Sequence, residues 1–414
     1  MSAVRNPFFK HRLPRRRHRP DYWLVLLSLT LLAVGLIVVY GISPGVSAQN
    51  GISSSYFVNK QLLAVGLGII AFIVVANLPL NLWRKLEKPL ILGSIGATLA
   101  ALAFGENING AHRWLNIGGL SFQAVELIKF ALIVWLAGFL ADRQRSGELH
   151  NSQLTFKPLI MVLAGLILVV AGLQGDFGSM AVVVTIMAAM IYIIGLPMKR
   201  LMMIAGIILI GVVLFIAGTG YRRDRFETFL NPTKDCLGTG YQACQSLISV
   251  GSGGLFGLGI ANSVQAYGYQ PQAADDSIFA ILAEKFGFVG VGALLGVFIV
   301  FFARLKNIIE NAPDTYSRLL VTGVLAWIST QMIINVGAMI GLLPLKGITL
   351  PFISYGGTSV LFVTAATGLA FQVSRYTTYG QSVSGAERNN YDNRLDRRGI
   401  RGAYHPNPSG RART

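Results

Sequence analysis

Ten apolar segments run through the chain, at roughly 22–42, 61–80, 88–105, 123–141, 157–173, 178–196, 199–218, 277–303, 317–341 and 354–374. Each is near or above the roughly 17-residue lower limit for a helix that crosses a hydrocarbon core. Only 13% of the 414 residues are charged and 53% are hydrophobic, whereas a soluble chain carries about 25% charged residues. The expected fold is an all-α integral membrane protein with ten transmembrane helices, whose architecture the bilayer sets.

Lysine and arginine test that count, because cytoplasmic loops concentrate them. With the N-terminus inside, the inner segments hold seven Lys/Arg in the N-terminal tail, three at 84–88, three at 143–157, two at 199–200, three at 304–318 and eight from Arg375 onward. That is 26 of 35, and losing one span would invert every later loop. Both termini are therefore expected in the cytoplasm, giving a basic tail at 1–21, a membrane domain at 22–375 and a second basic tail at 376–414. The second tail has little to bury, which predicts disorder. The first apolar run is too long for a signal peptide and lacks a small-residue cleavage site, so it reads as a retained helix. The net charge of +17 sits mainly in the tails. That suits orientation in a membrane and contact with anionic lipid, and not the basic folded face of a nucleic-acid binder.

The longest connection, 219–276, has 58 residues and falls on the outer face. A loop of that length is uncommon without a function. Its run GSGGLFGLG at 251–259 follows no strand and lacks the spacing of a dinucleotide fingerprint. It reads as tight turns or a re-entrant segment, which at membrane depth must be buried in protein or line a wet cavity. Cys236 and Cys244 are the only cysteines, too few for a zinc cluster and wrongly spaced for a redox motif.

Charges inside the apolar segments cost roughly 2.5–3.5 kcal/mol each on insertion scales, and they usually face a cavity and mark function. Glu126 and Lys129, at i and i+3, share one helix face; they read either as a self-neutralising structural pair or as cavity groups. Asp176 lies between spans five and six, and Asp275 and Asp276 open span eight, either as caps or as site groups. Glu284 and Lys285 point about 100° apart on a helix, so one of them should meet another helix or the outer edge. Arg222, Arg223 and Arg225 read equally well as partners of Asp224 and Glu227 on a wet loop. Basic groups around a lone carboxylate suit an anionic, phosphate-bearing substrate and a general base. This much does not separate an enzyme from a transporter.

Several strings carry a resemblance. GAHRWLNIGGLSFQAVELIK at 110–129 resembles G-x-R-R-W followed by Q-P-S-E-x-x-K, and QGDFGS at 174–179 resembles Q-P-D-L-G-T. QPQAADDSIFAILAEKFGFVG at 270–290 and GLLPLKGITLPFISYGGTS at 341–359 complete the set, the last being the most specific. Together, from about residue 20 to 375, they resemble the SEDS family (shape, elongation, division and sporulation). The Lys-Gly-x-Thr-Leu-Pro form at 346–351 is closer to its cell-division branch than to its elongation branch. The sequence departs from the family pattern at His112, Ala124, Val125, Gly175, Ser277 and Lys285.

The resemblance implies a peptidoglycan glycosyltransferase that polymerises lipid II in the bacterial cell membrane, at the division septum, together with a class B penicillin-binding protein. The family's essential aspartate falls on Asp276, with Arg113, Glu126, Lys129 and Asp176 matching polar positions around a central cavity. Asp276 would take the proton from the acceptor's sugar hydroxyl, and Glu284 would support it. Arg113, Lys129 and Lys346 are candidates to face the leaving diphosphate, whose charge needs compensation. A divalent cation, Mg or Mn, could share that task, although no dedicated ligand set is visible. Ser354 reads as a cap for span ten or as a substrate contact. Cys236 and Cys244, on the oxidising face, could pair. The competing functions are a lipid II flippase using the same cavity and a non-enzymatic division scaffold acting through its tails.

Overall fold

The computed structural model describes residues 20–49, 51–108, 111–117, 120–197, 229, 235–238, 240–260, 262–345 and 347–377. The seventh apolar segment, Lys346, Arg222, Arg223 and Arg225, and nearly all of both tails lie outside them. Six helices come first: α1 (Tyr22–Gln49), α2 (Tyr56–Asn77), α3 (Leu80–Phe104), α4 (Ala124–Arg145), α5 (Ser152–Leu173) and α6 (Phe177–Ile193). A short helix, α7 (Tyr241–Ser252), lies in the long loop, followed by α8 (Ile278–Glu310), α9 (Thr315–Met339) and α10 (Gly357–Ser374). Among the described residues, eight of these (α1 to α5 and α8 to α10) are long and apolar enough to cross a membrane, and α6 is apolar but shorter, with 17 residues. Each falls on an apolar segment read from the sequence.

Local chemistry sets the ends. Pro79 cannot donate to a helix begun before it, so α2 stops at Asn77 and α3 starts at Leu80. Asp176 and Asp314 cap α6 and α9, accepting from Ser179 N and Ser317 N, each at 2.9 Å. Helices α4, α9 and α10 are mostly buried and form the centre, while α2, α3, α5 and α8 turn most of their surface outward. Helices α2 and α10 pack closely because a Cβ at Gly368 would meet the Phe72 carbonyl oxygen at 2.8 Å, and one at Gly68 the Thr364 hydroxyl at 2.7 Å.

Two features were not expected from the sequence. Between α3 and α4 the chain forms a three-stranded antiparallel sheet, β1 (Glu106–Ile108), β2 (Ala111–Ile117) and β3 (Leu120–Gln123), in the order β1-β2-β3. Its last strand runs directly into α4. The second is α7, whose single cysteine, Cys244, is disulfide-bonded to Cys236, with Cα atoms 5.6 Å apart.

The glycine run of the long loop does enter the helical layer. Helix α8 is broken at Gly287, whose φ of 65° and ψ of −168° leave the helical region. The backbone groups freed by the break pair with the loop: Leu258 N and Gly259 N donate to the Glu284 and Lys285 carbonyls, at 2.9 and 3.0 Å. In return Phe288 N and Val289 N donate to Gly254 O and Leu255 O, at 2.9 and 3.0 Å. Backbone groups freed inside an apolar span need such partners within the protein, because hydrocarbon offers none. The approach is too close for side chains, since a Cβ on Gly257 or Gly287 would overlap the opposing backbone. At the other end of the bundle Asp21 accepts from Arg304 Nε at 2.9 Å, and its backbone N–H donates to Ser374 Oγ at 3.1 Å, tying α1, α8 and α10 together.

Replacing Gly287 or Gly257 by alanine is therefore expected to destabilise the protein by more than the about 1 kcal/mol of an ordinary glycine substitution. Thermal unfolding in detergent should show the loss, and Gly66→Ala, with open space around it, should not.

Candidate active site

The connections that precede α4, α6, α8 and α10 meet at one end of the bundle. The segment 270–277 leads into α8 through Asp275, Asp276 and Ser277. Asp276 is buried, at 5% exposure, and faces neutral donors. Gln242 Nε2 lies 3.4 and 3.5 Å from its two carboxylate oxygens. Gln272, oriented so that its amide donates, lies 3.1 and 3.3 Å from the same oxygens. Neither aspartate caps α8: the cap position is Ser277, and no side-chain bond closes the first turn. Among the described residues no basic side chain is hydrogen-bonded or ion-paired to Asp276. Burial therefore pushes its carboxyl up, to about 6, against the opposing effect of the Gln242 bond. Asp275 is pushed up to about 7 by burial and by the neighbouring Asp276 charge.

A second polar centre lies on α4. Lys129 Nζ donates to Glu126 Oε1 at 2.7 Å and to Gln331 Oε1 at 3.1 Å, and stands 4.9 Å from the centre of the Trp327 ring. Both charged residues are almost fully buried, so the pair stands without water to support it. Gln331, on α9, also accepts from Trp327 Nε1 at 2.7 Å, and its Nε2 donates to Thr349 O and Oγ1, each at 3.0 Å. One turn further along α9, Asn335 Nδ2 donates to the backbone carbonyls of Asp276 and Ile348, both at 2.7 Å. Two carboxamides at i and i+4 thus connect the α4 ion pair, the 347–349 segment and the Asp276 backbone. A narrow cleft of about 10 Å3, lined by Asp276, Asn335, Met339, Gly347 and Ile348 among others, opens beside them.

The sheet carries Arg113 to the turn before α6. There Arg113 donates from Nε to Gln174 O at 2.5 Å and from Nη2 to Gly175 O at 3.1 Å. Gly175 takes a φ of 61°, which suits glycine where the family pattern has proline. Asp176 caps α6 and also accepts from Gln123 Nε2 at 3.4 Å. Arg113 and Asp176 are thus brought together at one turn.

Glu284 and Lys285 part company, as their helical spacing requires. Glu284 accepts from Ser263 Oγ, Val264 N and Gln265 N, at 2.5, 2.8 and 3.1 Å, and so anchors the returning loop. Lys285 donates to Gly41 O at 3.3 Å and Ile260 O at 2.5 Å, joining α1 to the same loop. Lys346 lies outside the described residues, next to Gly347 of the cleft. Ser354 does not cap α10, whose cap position is Gly356; it accepts from Leu350 N at 2.7 Å and closes the turn around Phe352, a buried residue with a φ of 66°. Among the described residues no three His, Cys, Asp or Glu side chains gather as a metal site. Gln331 and Asn335 were missed from the sequence, although two amides one turn apart in an apolar span are a readable signal.

The arrangement defines a polytopic membrane protein with a buried ion pair at its centre and an elevated carboxylate at one mouth. Residues 22–379 match the family model described as cell cycle protein (FtsW, RodA, SpoVE), and the chain belongs to that family. It is 36% identical over 366 residues to stage V sporulation protein E of Bacillus subtilis, covering 88% of this chain and 99% of that protein. It is 36% identical over 365 residues to the probable peptidoglycan glycosyltransferase FtsW of Coxiella burnetii, covering 86% and 96%. Among solved structures it resembles a chain of a peptidoglycan synthase complex that coordinates polymerization and crosslinking, with TM-score 0.71 and 28% identity over 88% of this chain and all of that one, 100%. It also resembles the rod shape determining protein RodA of Thermus thermophilus, with TM-score 0.62 and 27% identity over 87% and 98%.

Removing one member of the α4 pair strands the other in the core. Lys129→Met is expected to cost about 3–5 kcal/mol of stability, and Glu126→Gln added to it should recover most of that loss. Thermal unfolding of the three proteins in one detergent measures both numbers.

Proposed function

We propose that this chain is a peptidoglycan glycosyltransferase that polymerises lipid II in the bacterial cell membrane during septal wall synthesis, with Asp276 as general base. The observation that carries the reading is a buried carboxylate at the mouth of α8, faced by amides and a hydroxyl and raised by burial to about 6. Such a group is ionised at neutral pH and still basic enough to take a proton. It would accept the proton of the 4-hydroxyl on the acceptor's N-acetylglucosamine while that oxygen attacks C1 of the donor chain's muramyl sugar. The C1–O bond to undecaprenyl diphosphate breaks as the new C1–O bond forms on the opposite face, so the configuration at C1 inverts. The apolar outer surface would hold the polyprenyl tails and leave the chemistry at headgroup level.

The leaving diphosphate needs positive charge. Lys346, which immediately precedes the cleft residue Gly347 in sequence, is the first candidate. Lys129 and Arg113 are already committed to Glu126 and to the 174–175 carbonyls, so each would act through the field of its charge or after exchanging a partner. Asp176 would fix the turn whose carbonyls hold Arg113, and Glu284 would hold the loop that carries the base. A divalent cation, Mg or Mn, would add charge at the leaving group by binding the donor's phosphates, with no dedicated protein ligand set among the described residues. We further infer ten spans with both termini cytoplasmic, a class B penicillin-binding protein as partner and a location at the septum. The family match, the FtsW relatives and the likeness to a synthase-complex chain support this reading.

The test is polymerisation of labelled lipid II by the purified protein with its cognate transpeptidase blocked by a β-lactam. Wild type and Asp275→Asn should make long glycan, and folded Asp276→Asn should lose at least about 100-fold, the usual scale of general-base catalysis. Equal polymer from all three would remove Asp276 from the base role. No polymer from any would favour lipid transport, read by a flipping assay on the same samples. The pH profile gives a second measure. A base must be unprotonated, so kcat/KM should fall about tenfold per pH unit below about pH 6 and level off above it. Asp275→Asn should keep that limb; its loss would place the titration on Asp275 instead.

A further inference from the structure

The side chain of Asn335 is 2% exposed and has one amide group fully used. Both hydrogens of Nδ2 go to backbone carbonyls, Asp276 O and Ile348 O, at 2.7 Å each. The amide cannot turn over, because that would set its oxygen against two carbonyl oxygens. The oxygen Oδ1 is therefore held away from both, and it finds no donor among the described residues. Buried acceptors are normally satisfied, and each exception calls for an explanation. Other buried amide oxygens also lack donors, on Gln61, Gln265, Gln270 and Gln372, but none of these residues lines the cleft beside Asp276. Asn335 does. The Asp276 carboxylate belongs to the same space, since a Cβ at Gly347, across the cleft, would stand 3.8 Å from Asp276 Oδ2.

We propose that Asn335 Oδ1 is a substrate contact: it accepts a hydrogen bond from a hydroxyl of the acceptor sugar adjacent to the one that gives its proton to Asp276. The reacting 4-hydroxyl of N-acetylglucosamine has two such neighbours, at positions 3 and 6. A carboxamide oxygen suits this role because it accepts a hydrogen bond at any working pH and takes no proton of its own. The cleft, at about 10 Å3, has room for one oxygen-sized group such as a hydroxyl. The same side chain that ties the Asp276 backbone to the 347–349 segment would thereby register the acceptor against the base. This proposal rests on the assignment of Asp276 to the acceptor side of the reaction.

The experiment pairs substrate and protein changes. Lipid II analogues lacking the 3- or the 6-hydroxyl of N-acetylglucosamine are compared with the natural acceptor on wild type, Asn335→Ala and Asn335→Ser. Serine keeps one short donor for the carbonyls and withdraws the acceptor from the cleft, so it serves where alanine fails to fold. On wild type, one analogue should lose roughly ten- to a hundredfold in kcat/KM, the usual effect of leaving a site's buried polar group unpaired. On the Asn335 variants, whose turnover of natural substrate is already lower, that analogue should lose less than about twofold further. A purely structural Asn335 would lower all rates and leave the penalty for the missing hydroxyl intact, which would overturn the proposal. Wild type turning over both analogues as it does the natural acceptor would overturn it as well. Asp276→Asn, assayed beside them, separates the two readings: activity surviving in that variant refutes the base, while the coupling between Asn335 and the hydroxyl is still read on wild type.

Discussion

A helix interrupted at membrane depth leaves backbone donors and acceptors that lipid cannot satisfy. The break at Gly287 is the point on which this architecture turns, because the groups it frees are met by residues 254–259 of the preceding loop. That exchange draws a glycine-rich segment into the helical layer and fixes the first turns of α8 as a separate element, buried from Ile278 to Lys285. Glu284 and Lys285 then fasten the loop from the helix side, one through Ser263, Val264 and Gln265, the other through Ile260 and Gly41. Asp276 inherits its position from this fixed half-helix.

The polar centre is built on a different economy. Water would normally solvate a lysine and a glutamate; here the pair is held by each other, by an aromatic face and by one amide. Gln331 and Asn335 each link groups from different parts of the chain, so two neutral side chains on α9 do the joining. Neutral amides suit this place because they give and accept hydrogen bonds without the desolvation penalty of an ion. Burial is what raises the Asp276 carboxyl, against the lowering effect of the amide that faces it.

The order of apolar segments was legible because hydrocarbon thickness dictates run length, and all the described spans fall on those runs. The i, i+3 spacing of Glu126 and Lys129 announced a pair, and the glycine density at 251–259 announced a segment entering the helical layer. The sheet at 106–123 was not legible: its strands are short, and the sequence marks them no more strongly than a loop. Of the two readings left open for the span-eight aspartates and for Ser354, the cap is not the one adopted: Asp276 faces Gln242 and Gln272, and Ser354 accepts from Leu350 N within its own turn. The partners of Glu284 lie about twenty residues back on another element, a relation that spacing cannot express. Gln331 and Asn335 were passed over because the search followed formal charge, and the site is wired through amides.

The clip at the far end of the bundle has a consequence for biosynthesis. Asp21 precedes the first helix, while Ser374 ends the last, and the Gly68 face of α2 has its neighbour in α10. A ribosome delivering the chain from its N-terminus cannot close either contact until the final helix has left it. Helix α2 must therefore wait in the bilayer with its main partner unmade, and the bundle closes only when α10 arrives.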